Sequence, residues 1–371
     1  DRDAGDAGPG GTTVSITFEV EVPADTPAAA PVHIAGDFQG WDPTDAGYAL
    51  TPDATGLYTI TLSFERGQAI AFKLARGDWS LVEKGVAGEE IADRTYVASA
   101  DATLRLVVLA WADSTFGSGT TTGNVRTVTV PGFADGRRVW VYLPPSYGTD
   151  TGARFPVLYM LDGQNVFDET TSFSGEWEVD ESAERLIASA EIEPLIVVAV
   201  DNGGSARIDE YTPWVDPGYG GGDGDAHLGD IVSVLKPWVD ARYRTRPEPE
   251  STGFSGSSLG GLMSVYTAYA RSDVFGRIGA LSPSIWWDDV HLVGYVDEQP
   301  MPAGVRLWVD MGTEESASAI PNLRALRTAL LADGFVEGAD LSVVEVVGGD
   351  HSEPAWARRY PDVLRFLFPA E

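Results

Sequence analysis

The sequence predicts an α/β chain: a mostly parallel sheet covered by helices, preceded by a small all-β domain. Three observations predict it. Residues 13–111 carry short strand patterns with no helical period. Beyond about residue 125, nearly continuous apolar runs alternate with helical patterns. A Gly/Ser/Thr-rich stretch, DSTFGSGTTTGN, separates the two at 113–124. The organisation expected is a disordered tail at 1–12, a β-sandwich at 13–111, a linker at 112–124 and an α/β domain at 125–371.

In the front part, TVSITFEVEV (13–22) alternates apolar and polar residues, as a half-buried strand does. LYTITLSF (57–64), IAFKLA (70–75) and TLRLVVLAW (103–111) read the same way, with Gly/Asp/Pro turns between them. Strands at this spacing suit a small immunoglobulin-like sandwich. In the second part, RRVWVYLP (137–144), PVLYMLD (156–162) and PLIVVAVD (194–201) are apolar throughout, as strands buried on both faces require. Helical patterns occupy 178–190, 226–243, 259–271, 318–333 and 353–368. Strand alternating with helix implies a parallel sheet with helices on both sides. Residues 203–225 form a long Gly-rich stretch, expected to be a functional or mobile loop.

Composition narrows the function. The 371 residues include 25 Lys+Arg and 56 Asp+Glu, net −31. Residues 1–113 hold 7 basic and 18 acidic residues and residues 114–371 hold 18 and 38, so the acid is a surface property of both parts. Such a field repels phosphate backbones and excludes nucleic-acid binding. Salt adaptation and drift in genome composition explain it equally well. Cysteine is absent, which removes disulfides, thiolate metal sites and cysteine nucleophiles. No apolar run reaches the length of a membrane-spanning helix. The start at Asp1 with the Gly-rich stretch 1–11 reads as a mature end, so an exported protein (secreted, periplasmic or lipid-anchored) is expected.

TGFSGSSLGG (252–261) carries the chemistry. It contains G-x-S-x-G as Gly256-Ser257-Ser258-Leu259-Gly260, after a strand-like stretch and before the helical LMSVYTAYA. Strand, sharp turn and helix make the nucleophile elbow of α/β-hydrolases, which points to Ser258 as nucleophile. Of the four histidines, His33 lies in the front part, and His227 and His291 sit close to the nucleophile in sequence. His351, in VVGGDHSEPAW before the last helix, matches the chain order Ser–acid–His. The acid should follow a strand between them, and RLWVDMGTEES (306–316) offers Glu315, then Glu314; Asp310 lies inside the strand. Backbone N–H groups of Leu259 and of Gly163 or Gln164 would complete an oxyanion hole. The reaction expected is ester hydrolysis through an acyl-enzyme, with no metal or cofactor.

The segments YMLDGQNVFD, NGGSARIDEYTPW, TGFSGSSLGGLMS, LSPSIWW and DHSEPAWARRYPDVLRFLF together resemble the α/β-hydrolase esterases of carbohydrate esterase family one. That group includes feruloyl and acetylxylan esterases, siderophore esterases, S-formylglutathione hydrolases and mycolyltransferases. The resemblance covers about 125–371 and implies the triad Ser258, His351 and Glu315. It implies an acylated-sugar or hydroxycinnamoyl ester, small or polysaccharide-linked, as substrate. It also implies a substrate pocket at Trp177 and at Trp286 or Trp287, with Arg207 and Glu210 structural or substrate-facing. An acyltransferase, a siderophore-ester hydrolase and a non-catalytic carbohydrate-binding protein are the alternatives. In the front part, VHIAGDFQGWDP and FKLARGDW resemble a starch- or glycogen-binding module of the family 20 or 48 type. That resemblance implies sugar contacts at Trp41, Trp79 and Lys73, although support of the neighbouring domain is the role expected.

Overall fold

The computed structural model describes residues 13–23, 26–27, 30–53, 56–85, 90–113, 119–172 and 175–370. The tail expected at 1–12 lies outside them. The chain divides into two compact units, one of residues 1–117 with 148–151 and one of residues 118–147 with 152–371.

In the first unit seven strands form one hydrogen-bonded ladder. Their order is Arg94–Ala98, Gln68–Ala75, Val32–Gly36, Ala49–Pro52, Tyr58–Glu65, Thr13–Glu21, Ala102–Val107. Along Thr13–Glu21 the alternation is realised: Val14, Ile16, Phe18 and Val20 are buried. Phe18 meets Phe72 edge to face at 5.3 Å. Their strands stand four places apart in the ladder, about 19 Å in a flat sheet. The ladder therefore folds over on itself and closes a core around these rings. The run 103–111 is not one strand, as expected from its pattern, but breaks after Val107; Ala110–Trp111 pairs with Glu83–Lys84 instead.

The second unit is built on eight strands: β1 (Asn124–Thr129), β2 (Arg138–Leu143), β3 (Val157–Met160), β4 (Ile196–Val200), β5 (Thr252–Ser257), β6 (Arg277–Leu281), β7 (Arg306–Gly312) and β8 (Leu341–Val346). Their order is β1-β2-β4-β3-β5-β6-β7-β8. The β1–β2 and β2–β4 pairs are antiparallel and all others parallel. The helices are α1 (Val179–Ala188), α2 (Arg207–Tyr211), α3 (Gly224–Asp230), α4 (Lys236–Arg242), α5 (Leu259–Ala270), α6 (Trp287–Glu298), α7 (Ala319–Asp333) and α8 (Glu353–Leu367). Every residue of β3 and β4 is buried, as their apolar runs require, and so is every residue of the small and polar β5 between them and β6. Among the described residues no helix is long and apolar enough to cross a membrane.

Three sequence expectations change. The helix expected at 226–243 is α3 and α4 joined by a π-turn at Ile231–Leu235. Pro237 lacks the N–H that a regular ladder would use there, and the wider turn absorbs the missing bond. The stretch 203–225 is not all loop, because α2 and the start of α3 fall inside it. What remains irregular turns through Gly220, Gly221 and Gly222, all at positive φ, a conformation that disfavours side chains. Finally, residues 119–123, expected as linker, are tied to the second unit: Thr122 N–H donates to Asp180 Oδ2 at 2.6 Å and Thr120 Oγ1 bonds Glu176 Oε2 at 2.5 Å.

Candidate active site

β5 ends at Ser257 and α5 begins at Leu259, so one residue, Ser258, makes the whole reversal. Its backbone sits at φ 58° and ψ −119°, a region that side-chain-bearing residues rarely occupy. The glycines of the motif explain how the turn closes. A Cβ on Gly256 would lie 2.8 Å from the carbonyl carbon of Gly260, and one on Gly261 would lie 2.7 Å from Leu281 O. The backbone of Ser258 is held on both sides: its N–H donates to Leu281 O at 3.0 Å, and its carbonyl accepts from Ser284 N–H at 2.9 Å.

His351 lies just before α8, whose N-cap is Ser352. Its Nε2 is 3.0 Å from Ser258 Oγ and its Nδ1 is 2.8 Å from Glu315 Oε2. The imidazole is about two-fifths exposed while the Glu315 side chain is 5% exposed, so the ring faces solvent and the carboxylate behind it does not. Glu314 is exposed and its N–H bonds Gly349 O. The other histidines are elsewhere: His227 packs between Phe133 and Tyr211, and His291 lies against Trp214 and Asp288.

Burial would raise the Glu315 pKa, but hydrogen bonds from His351, Ser282 and the Gly312 N–H outweigh it and leave the carboxyl below its ordinary value. Ser282, which the sequence reading missed, is the centre of this support. Its hydroxyl donates to Glu315 Oε1 at 2.5 Å and accepts from Trp356 Nε1 at 2.9 Å and Arg359 at 2.5 Å. One donor and two lone pairs are thereby all used. Arg359 also pairs with the buried Asp310 at 2.9 Å, which gives that strand residue a structural place. Nothing in the local sequence marks Ser282 or Arg359, because their partners come from elements 28 to 77 positions away.

The remaining candidates separate. Leu259 is the first residue of α5, where N–H groups have no intrahelical acceptor. A Cβ on Gly163 would lie 2.7 Å from the Val200 backbone, so only glycine fits there, and Gln164 faces a cavity shared with Ser258. That cavity, of about 840 Å³, has both polar and apolar walls and is also lined by Arg207, Asn202 and Glu353. A second, of about 310 Å³, is lined by Ile285, Trp286, Met311 and His351. Two pocket expectations are corrected. Trp177 is 1% exposed and packs on Trp356 and Tyr360, and Trp287 is 2% exposed with its Nε1 donating to Trp214 O. Both rings are core, and Trp286 alone of the three is at the surface. Glu210 binds Arg137 in a two-pronged pair at 2.6 and 2.7 Å and lines neither cavity, whereas Arg207 holds Asp162 at 2.7 and 2.8 Å. In the first unit, Trp41 and Trp79 lie 6.4 Å apart, Trp79 39% exposed, while Lys73 Nζ donates to Ile91 O at 2.5 Å.

Chemically, a hydroxyl, an imidazole and a buried carboxylate in series can move a proton off the serine oxygen. The chain is similar to known proteins. The Esterase family model, described as "Putative esterase", matches residues 132–367. The Bacillus subtilis protein named "Uncharacterized protein YbbA" is 28% identical over 248 residues, 63% of this chain and 94% of its own length. An alpha-amylase of Niallia circulans is 43% identical over 100 residues, which are 27% of this chain and 8% of that protein. Among solved structures, the enterobactin esterase FES from Shigella flexneri in the presence of enterobactin aligns with a TM-score of 0.54 at 15% identity, covering 96% of this chain and 92% of its own. At that identity the likeness is one of fold.

Ser282→Ala would strip a partner from Glu315, Trp356 and Arg359 together. It should lower Tm and cut kcat roughly tenfold, since a buried group left unpaired costs about 1–3 kcal/mol. Thermal melts and steady-state kinetics with any hydrolysed ester check it.

Proposed function

The chain belongs to the Esterase family and is a carboxylic ester hydrolase, and from that premise we propose that Ser258, His351 and Glu315 are its catalytic triad and that its substrate is an acylated-carbohydrate or hydroxycinnamoyl ester. The observation that carries the triad is the single imidazole bridging Ser258 Oγ at 3.0 Å and Glu315 Oε2 at 2.8 Å.

Ser258 Oγ attacks the ester carbonyl carbon while His351 Nε2 takes the hydroxyl proton. Glu315 fixes the Nδ1–H tautomer and offsets the charge of the imidazolium. The carbonyl oxygen becomes an oxyanion and receives the N–H groups of Leu259 and Gln164; Gln164 is preferred to Gly163 because it lines the cavity with Ser258. The tetrahedral adduct collapses, the C–O bond to the alcohol breaks, and the alcohol leaves with the proton from His351. Water then attacks the acyl-serine, giving its proton to His351; the bond from the acyl carbon to Ser258 Oγ breaks, the serine oxygen takes that proton back, and the acid is released.

The two cavities suit the two halves of such an ester. The smaller one, with Ile285, Trp286 and Met311, offers an apolar, aromatic wall for an acyl group. The larger one offers the amides and charges that sugar hydroxyls use. It holds two arginines, Arg138 and Arg207, against Asp162, Asp201 and Glu353. Both arginines are already paired, with Asp201 and Asp162. That balance favours a neutral sugar over an anionic catecholate ligand.

In the first unit, Trp41 and Trp79 come from separate segments to one place, which supports a sugar-stacking role over support alone. The alpha-amylase likeness points the same way. The full chain should be retarded on an α-glucan affinity gel, and Trp41→Ala with Trp79→Ala should abolish the retardation. Equal migration of the two proteins would defeat this reading.

Ser258→Ala should lower kcat by roughly 10⁴–10⁶ with folding intact. A serine-directed phosphonate should add mass to the wild type alone; labelling at Ser257 would sink the assignment.

Glu315→Gln should cost on the order of 10³–10⁴ in kcat, and Glu314→Gln far less. Only a neutral imidazole accepts the serine proton, so kcat should fall on acidification. Glu315 is held below its ordinary value by its hydrogen bonds, so its own protonation is displaced to lower pH. A pH–rate profile should therefore show the loss of one group, with unit slope.

A further inference from the structure

A second cluster of acids lies outside the proposed catalytic residues. Glu176, Asp180 and Glu181 each present one carboxylate oxygen, all within 4.8 Å of one another. Asp180 is fully buried, and its Oδ1 has no hydrogen-bond donor, nor do the buried Glu176 Oε1 and Glu181 Oε2. Among the described residues no arginine, lysine or histidine pairs with the three. The oxygens opposite these are engaged: Asp180 Oδ2 accepts from Thr122 N–H, Glu181 Oε1 from Thr122 Oγ1 at 3.0 Å, and Glu176 Oε2 from Thr120 Oγ1. Each carboxylate is thus anchored by one oxygen and leaves the other covered and without a donor.

Asp180 and Glu181 lie in the first turn of α1, where negative charge is favoured by the helix dipole. That preference explains two acids at a helix end. It does not explain three carboxylates gathered within 4.8 Å, each with a covered oxygen that no donor reaches and one of them fully buried, since an unpaired buried charge is strongly disfavoured. A hard cation bound by oxygens resolves the conflict. Ca²⁺ takes oxygen ligands at about 2.3–2.6 Å, so opposite ligands stand about 4.6–5.2 Å apart, against about 4.2 Å for Mg²⁺.

We propose that Glu176, Asp180 and Glu181 form a structural Ca²⁺ site. The ion would clamp three pieces of chain: residues 119–123, the start of α1, and the segment of residues 164–172 and 175–178. Thr120 Oγ1 already links the first to the third by accepting from Glu169 N–H at 2.8 Å. That segment supplies Gln164, Asn165, Thr171 and Ser172 to the larger cavity. The ion takes no part in the ester chemistry, so this site stands or falls apart from the triad.

The test uses the full chain, stripped with EGTA and titrated with CaCl₂ by calorimetry. High NaCl throughout screens diffuse binding to the acidic surface. One Ca²⁺ should bind saturably, and Tm should rise on the order of 5 °C at a hundredfold excess over Kd. Asp180→Asn, which keeps the Thr122 acceptor, should weaken binding by at least about tenfold, the lower end of what supporting groups at metal sites cost. Glu176→Gln, at the less buried edge of the cluster, should do the same and carries the test if Asp180→Asn fails to fold. Three results would each overturn the proposal. They are no saturable uptake, unchanged binding in both variants, and a Tm rise that NaCl or MgCl₂ reproduces.

Discussion

Between the last residue of β5 and the first of α5 the chain reverses in one step, and Ser258 carries the whole cost at φ 58° and ψ −119°. The turn closes because Gly256 and Gly260 touch without side chains. It is kept closed by Leu281 O on one side and Ser284 N–H on the other, so the neighbouring strand β6 is part of the restraint. The strain is local and its support is distributed, as is usual where an unfavourable backbone is retained. The reversal lifts the hydroxyl off the sheet edge and leaves the first N–H groups of α5 open beside it.

Behind that hydroxyl the polar groups are layered by burial. His351 faces solvent, Glu315 is nearly covered, and Asp310 and Arg359 are enclosed. Each deeper layer has fewer ways to be solvated and more fixed partners. Ser282 joins them with one hydroxyl whose hydrogen-bonding capacity is fully used. A network satisfied in this way holds the carboxylate in one orientation, and a partly satisfied one would be worse than an apolar core.

The acidic composition has two different expressions. Over most of the chain it is a solvated surface that keeps molecules apart. Around α1 it turns inward, where carboxylates meet without a basic partner among the described residues. Glycine at 119 and 123 belongs to the same arrangement, since a Cβ there would strike the carboxylates of Asp168 and Glu184. The stretch that reads as a plain Gly/Thr linker is therefore shaped by what it crosses.

The sequence by itself determined the sheet of the second unit and the elbow. Runs such as PLIVVAVD can be satisfied only by burial on both faces, and a serine flanked by glycines before a helical pattern has few other uses. Chain order brought His351 and the Glu314–Glu315 pair into view, because strand ends in such a sheet gather at one edge. Tertiary structure alone decided the rest. Trp286 and Trp287 are adjacent in sequence, yet one is 45% exposed and the other 2%, because neighbouring side chains leave the backbone in different directions and only Trp287 is met by the Trp214 carbonyl. Ser282, Arg359 and the partners of Asp180 are set by contacts across dozens of residues. A pattern of neighbours along a chain records which face is apolar, but not which distant polar group will arrive to fill a buried hydrogen bond.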